Sequence, residues 1–286
     1  MKSYLDCLPC FFRQALETAR IITSDKEKIR EVLNAVSLLI SKISLEASPP
    51  EIGREVYQVI NEITGVKDPY KELKEKCIYQ AISLYPELKR IINSSRDKLL
   101  TAVKLSIAGN VIDFGANPNF ELKRDIEKIL SQDFGINHYQ EFCEKLNKAK
   151  KILYLADNAG ETVFDRLLIE ELGKPVIYVV REKPVINDAT KEDALLSEIN
   201  KVAEIISSGC DAPGTILPLC STEFLKIYQT SDLIISKGQG NYEGLSEEAR
   251  PIFFLLKAKC STIARDIRIQ ENSIILMKAT TDVTDK

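Results

Sequence analysis

Five short segments carry most of the residues able to do chemistry: Asp157-Asn158-Ala159-Gly160-Glu161, Asn187-Asp188, Ser208-Gly209-Cys210-Asp211, Lys237-Gly238-Gln239-Gly240-Asn241, and Lys257. Asp157, Asn158 and Asp188 are hard oxygen donors, the type taken by magnesium or manganese, which keep open positions for substrate oxygens. Lys237, with the backbone amides around Gly238 and Gly240, suits the charge of a phosphate group. Arg181, Ser208, Gly209 and Lys257 stand at equivalent places after neighbouring apolar runs and complete a candidate phosphate-binding rim. The spacing thus describes a divalent metal beside a phosphate. Each acid also has a simpler reading as a helix cap: Asp157 or Asn158 for the helix that follows, Asp188 ahead of the capping-box pattern Thr190 to Asp193.

Other chemistries lack their residues. G-x-x-x-x-G-K-[ST] is absent, and Glu243 takes the place of the last glycine in a G-x-G-x-x-G frame begun at Gly238, so neither a P-loop nor a dinucleotide fingerprint is present. A haloacid-dehalogenase-like phosphatase needs an acid two residues after its nucleophile, where this chain has Ala159. The one histidine, His138, rules out histidine-rich zinc sites and makes a hydrolase triad improbable; it reads best as a surface or helix-entry residue. Cys7 and Cys10 form a single C-x-x-C with no partner pair. Buried thiols, or a local disulfide near Cys77, are expected, with a part in stability rather than turnover.

The elements that must position these residues change character part-way along the chain. Up to about Asn147, apolar residues recur at three- and four-residue spacing, as in Ile29, Val32, Leu33, Val36, Leu39, Ile40 and Ile43, which predicts a helical bundle. Ser24 and Asp68-Pro69 are the expected helix starts. From Lys148 on, β-rich runs alternate with helical periods: Ile152 to Ala156, Val176 to Val180, Ala203 to Ser207, Leu233 to Ser236, Ile252 to Leu256 and Ser273 to Met277. Such alternation predicts a parallel sheet with right-handed crossovers, whose ligand lies beyond the carboxyl ends of the strands. All five polar segments follow such a run. The expected units are 1–147, helical, and 148–286, α/β.

The 286 residues carry 39 basic and 42 acidic side chains, net charge −3, and no block of like charge that would mark a nucleic-acid surface. No apolar run approaches the roughly 18 residues of a membrane helix, and the opening Met1-Lys2-Ser3-Tyr4 runs into Asp6 rather than a signal core. A cytoplasmic protein without nucleic-acid or membrane partners is expected. In the helical part, Asn110 and Asp113 share a helix face, either lining the cleft or ending a helix.

Taken in order, Gly109-Asn110 with Asp113, Asp157 to Glu161, Asn187 to Thr190, Asp211-Ala212-Pro213-Gly214-Thr215 and Lys237 to Glu243 resemble the damage-control phosphatase family, formerly domain of unknown function 89. Cys7-x-x-Cys10 and Leu255-Leu256-Lys257-Ala258-Lys259-Cys260 resemble its short prokaryotic branch. The resemblance implies an α/β protein: an N-terminal all-helical domain plus a Rossmann-like α/β/α domain with a mainly parallel sheet. It also implies metal-dependent hydrolysis of small phosphorylated metabolites, with Mn2+, Co2+, Ni2+ or Mg2+ held by Asp157, Asn158 and Asp188. Glu161, Asn110, Asp113 and Lys237 would hold substrate and order water; either water or the Asp157 carboxylate attacks. Longer members have Arg-Thr-x-Lys where this chain has Leu255-Leu256-Lys257, a departure that weakens the expectation of sugar phosphates. The rival readings are an S-adenosylmethionine-dependent carboxyl methyltransferase and a non-catalytic metal or metabolite sensor.

Overall fold

The structure is a computed structural model that describes residues 1–109 and 119–279; Asn110 and Asp113 lie outside the described residues. Three helices open the chain: α1 (Cys7–Ile22), α2 (Lys26–Ile40) and α3 (Pro49–Thr64). Then come α4 (Lys71–Ser94), α5 (Lys98–Gly109) and α6 (Asn119–Ser131). The first strand, β1 (Phe134–Asn137), precedes α7 (Tyr139–Lys148) and β2 (Ile152–Leu155). There follow α8 (Thr162–Leu172), β3 (Val176–Val180), α9 (Lys191–Leu196), β4 (Glu204–Ser207) and α10 (Thr222–Thr230). The chain continues through β5 (Leu233–Lys237), α11 (Gly238–Leu245), β6 (Ile252–Lys257), α12 (Ser261–Ile267) and β7 (Ile274–Lys278).

The strands form one sheet in the order β1-β7-β6-β5-β2-β3-β4, parallel except where β7 runs antiparallel to β6. Every residue of β2, β3 and β5 is buried, as continuous apolar strands covered on both faces must be. Along β2, Ile152 and Tyr154 face one core and Leu153 and Leu155 the other, the two-residue alternation of a strand. The chain winds from β2 outward through β3 and β4, then returns to β5 on the other side of β2. That reversal makes the β2–β5 crevice the topological switch point, where open α/β sheets bind ligands.

Strand β1 joins the sheet from before residue 148, and α4 and α5 contribute Ile78, Leu88, Val103 and Ile107 to the core that also contains Ile152, Tyr154 and Leu276. Helices α1 to α3 share a core of their own around Phe11, Val36, Val56 and Ile60, which also takes in Tyr70 and Val185. The helix starts shift as well. Asp25, not Ser24, caps α2 by accepting from Glu27 N, and Asp68 accepts from Tyr70 N in the turn before α4 instead of capping it. All seven cysteines are free thiols, and His138 accepts a hydrogen bond from Lys278 N through Nδ1, a structural use.

Candidate active site

Beyond β2 the chain stays extended long enough to pair with the segment after β3. Ala159 N donates to Asn187 O and Ala189 N to Asp157 O, both at 2.8 Å, so Asn158 and Asp188 face each other as an isolated antiparallel bridge. Between two such bonds opposed residues project side chains to the same side at close range. Two donors thirty residues apart are thereby brought together. Asn158 Nδ2 donates to Asp157 Oδ2 at 3.1 Å and to Glu161 Oε1 at 2.6 Å. Carboxylates only accept, so this contact fixes the amide nitrogen and turns Asn158 Oδ1 the other way.

The capping alternative is not what these residues do. Asn158 precedes a short 3-10 turn, Ala159–Glu161, without a side-chain cap bond, and α9 is capped by a reciprocal Thr190–Asp193 box that leaves Asp188 out. Asp188 instead receives Arg181 Nε at 2.8 Å on Oδ2. Arg181, expected at the substrate, is only 2% exposed. Its other donors reach Thr215 Oγ1, Asn241 Oδ1 and Ala156 O, which makes it the support behind Asp188.

Lys237 likewise sits deeper than its expected place at a phosphate. Its Nζ is fully buried and donates to Asp165 Oδ1 at 2.6 Å, Glu161 Oε2 at 2.9 Å and Ser106 O at 2.9 Å, which occupies all three ammonium protons. Burial works to lower its pKa, but the Asp165 and Glu161 charges outweigh it and hold the ammonium charged. Asp165 also accepts from Tyr154, Tyr178 and Ser106 hydroxyls. A continuous chain Asp165–Lys237–Glu161–Asn158–Asp157 results.

The site is rich in buried carboxylates. Among the described residues, Asp157, Glu161, Asp165 and Asp188 are buried around Lys237 and Arg181, with the charge of Lys74 also felt at Asp188 and that of Lys259 at Glu161. Burial first, then the Asp157 and Asp165 charges, push Glu161 up to about 7 against the pull of Lys237. Burial also raises Asp188 in spite of Arg181. A dication would offset the repulsion among these carboxylates, and the oxygen-only donors Asp157, Asn158 and Asp188 fit a hard one. Among the described residues no three side chains of the His, Cys, Asp and Glu types close around a cation by themselves; the set needs the Asn158 amide.

Glycines let the strand tips come this close. Gly238 has φ +76°, and a Cβ there would lie 1.9 Å from Asp157 Oδ2, so α11 begins directly against that carboxylate. Its amino end favours an anion. At Gly240 a Cβ would meet Pro213 O at 2.2 Å, so this residue lets the 211–215 loop pack onto α11. Asn241, not singled out from the sequence, ties the tips together: Nδ2 donates to Ala156 O and Lys237 O, and Oδ1 accepts from Arg181 and Thr215. Asp165 was missed too, although its place four residues after Glu161, on the same helical face, was a usable signal.

A family model described as the damage-control phosphatase ARMT1-like domain matches residues 3–275. The chain belongs to that family. It is 36% identical to a damage-control phosphatase of Pyrococcus horikoshii, covering 97% of this chain and 98% of that one. A damage-control phosphatase of Archaeoglobus fulgidus is 33% identical over 94% and 96% of the two chains. The crystal structure of a DUF89 family protein from P. horikoshii superposes with a TM-score of 0.92 at 34% identity, covering 98% of this chain and all of the other.

In this damage-control phosphatase family member the remaining expected residues line the rim unequally. Ser208 is buried and its Oγ accepts from Cys210 N, while Gly209, at φ +76°, fits against Ser221; both shape the turn after β4. Lys257 closes β6 half-buried, and the exposed Lys259 two residues on is close enough to draw the Glu161 pKa down.

Proposed function

We propose that this protein is a metal-dependent phosphomonoesterase acting on small phosphorylated metabolites, its divalent cation held by Asp157, Asn158 and Asp188. The observation that carries this reading is the Asn158–Asp188 bridge, which gathers these two oxygen donors with Asp157 at the switch point of the sheet. The names of the P. horikoshii and A. fulgidus relatives support the same activity. Against the methyltransferase, the turn after β2 holds one glycine, Gly160, among carboxylates. Among the described residues no helix is long and apolar enough to cross a membrane.

A bound divalent cation polarises a phosphoryl oxygen and lowers the pKa of coordinated water. The protein does the rest. Arg181 fixes Asp188, and Glu161 with Lys237 fixes the Asn158 amide, so the donors are set before substrate arrives. Asp157, at the amino end of α11, is placed to orient water or to attack phosphorus itself. Lys257 and Lys259 bring positive charge to the rim, where the phosphate would enter. Mn2+, Co2+, Ni2+ and Mg2+ are the cations to try. The test is phosphate release from p-nitrophenyl phosphate before and after chelation, alongside calorimetric Mn2+ titration of the wild type, Asp157→Ala and Asp188→Ala. Activity should vanish on chelation and return with metal, and both variants should bind Mn2+ at least tenfold more weakly. Full turnover after exhaustive chelation sinks the reading.

A further inference from the structure

The turn that delivers Asp188 is bent at a residue unsuited to it. Asp188 N donates to Val185 O at 3.1 Å, closing a four-residue turn whose second residue, Ile186, has φ +47°. A β-branched side chain strains this left-handed backbone, which glycine normally occupies in turns. Such a conformation persists only where the surroundings over-determine it. Here they act from both sides. The pairing of 157–159 with 187–189 holds one end to the sheet. At the other, Val185 is buried in the α1–α3 core with Phe11, Val56 and Tyr57, and Ile186 packs against the same cluster. Lys74 of α4 adds a second tie by binding Asp193, the capping partner of Thr190 just beyond Asp188.

We propose that Ile186 is a positioning residue for the metal: seated against the α1–α3 core, it holds the Asp188 turn in a strained form that places Asp188 opposite Asn158, so that the helical layer assembles the donor set. The inference rests on the metal reading above and adds that cation affinity depends on a side chain that touches neither cation nor substrate. It also gives the separate α1–α3 core a function, since the strain in the turn is sustained by that packing.

The test compares Ile186→Gly, which removes both anchor and strain, with Ile186→Val, which keeps a β-branched anchor, and with Asp188→Ala. Mn2+ is titrated calorimetrically into each full-length protein, and metal-free melting temperatures are measured beside it. Ile186→Gly should weaken Mn2+ binding tenfold or more, Ile186→Val less than threefold, and the loss should not track the melting temperatures. A purely structural role would move the melting temperature and leave Mn2+ affinity alone. Wild-type Mn2+ affinity in Ile186→Gly, with affinity lost in Asp188→Ala, overturns this inference and leaves the metal site standing. Wild-type affinity in Asp188→Ala overturns both. If the glycine variant does not fold, Ile186→Ala takes its place under the same criteria.

Discussion

The ammonium of Lys237 has no freedom left to follow a substrate, because all three of its protons are committed inside the protein. Its removal is first a matter of stability. Taking one partner from a buried ion pair costs about 3–5 kcal/mol, and Lys237→Met should lose roughly that much in urea unfolding. A variant of wild-type stability with only kcat/KM impaired would return the ammonium to the phosphate. Glu243, buried on α11, gives a pH signature: burial pushes its carboxyl up to about 7, against the Gln239 hydrogen bond and the Met1 ammonium. Between its ordinary 4.5 and about 7 the folded carboxyl keeps a proton that the unfolded chain has released. Its contribution to stability is therefore present in full below that window and is lost as pH rises through it. Glu243→Gln should flatten this part of the melting curve of the metal-free protein. An unchanged slope removes Glu243 as its source.

At the scale of elements, the site depends on how closely α11 approaches the end of β2. Gly238 permits that approach, and any side chain there collides with the Asp157 carboxylate and must adopt a left-handed backbone. Gly238→Ala should therefore displace Asp157. A misplacement on the order of 1 Å at a reacting group costs about 10²-fold in rate, and backbone strain adds about 1–3 kcal/mol of destabilisation. Steady-state kinetics and a melting curve on one preparation check both; unaltered kcat/KM would mean that Asp157 is not positioned by α11. The sheet places these tips side by side, while Asn241 and Arg181 bind their backbones into one rigid shelf.

Over the whole molecule, the sheet is covered by two apolar cores, and the α1–α3 layer meets it through the loop that carries Asp188 and through α3, where Gly53 packs on Pro213 and Arg54 binds Asp211. The acidic site lies at that junction, so the cation should act as a staple. A ligand at a hundred times its dissociation constant stabilises the native state by about 2.7 kcal/mol, which for a chain of this size raises the melting temperature by on the order of 5 °C. Mn2+ should produce that rise and a chelator reverse it, while Asp157→Ala should show neither. A rise of equal size in Asp157→Ala would place the stabilising cation elsewhere.

The sequence by itself determined most of the sheet. Val176-Ile177-Tyr178-Val179-Val180 and Leu233-Ile234-Ile235-Ser236 are legible because a parallel strand buried on both faces is apolar throughout. The residues at the strand ends follow from the same pattern, so Asp157, Asn158, Asp188 and Lys237 could be named before any coordinates. Strand β1 could not, since Phe134-Gly135-Ile136-Asn137 is an edge of four residues with every second position exposed. Nor does local pattern encode the direction of β7. Tertiary structure alone decided what the charged residues do. Lys237 and Arg181 read as substrate cations until Asp165, Glu161, Asp188 and Asn241 surround them from other segments and use their donors internally. Ile186 reads as an ordinary apolar residue, and only its backbone angle together with the α1–α3 core shows the strain beside Asp188. The physical reason is common to these cases: periodicity reports burial along one segment, whereas the partner of a charge or the cause of a strained turn lies far away in sequence and is set by packing.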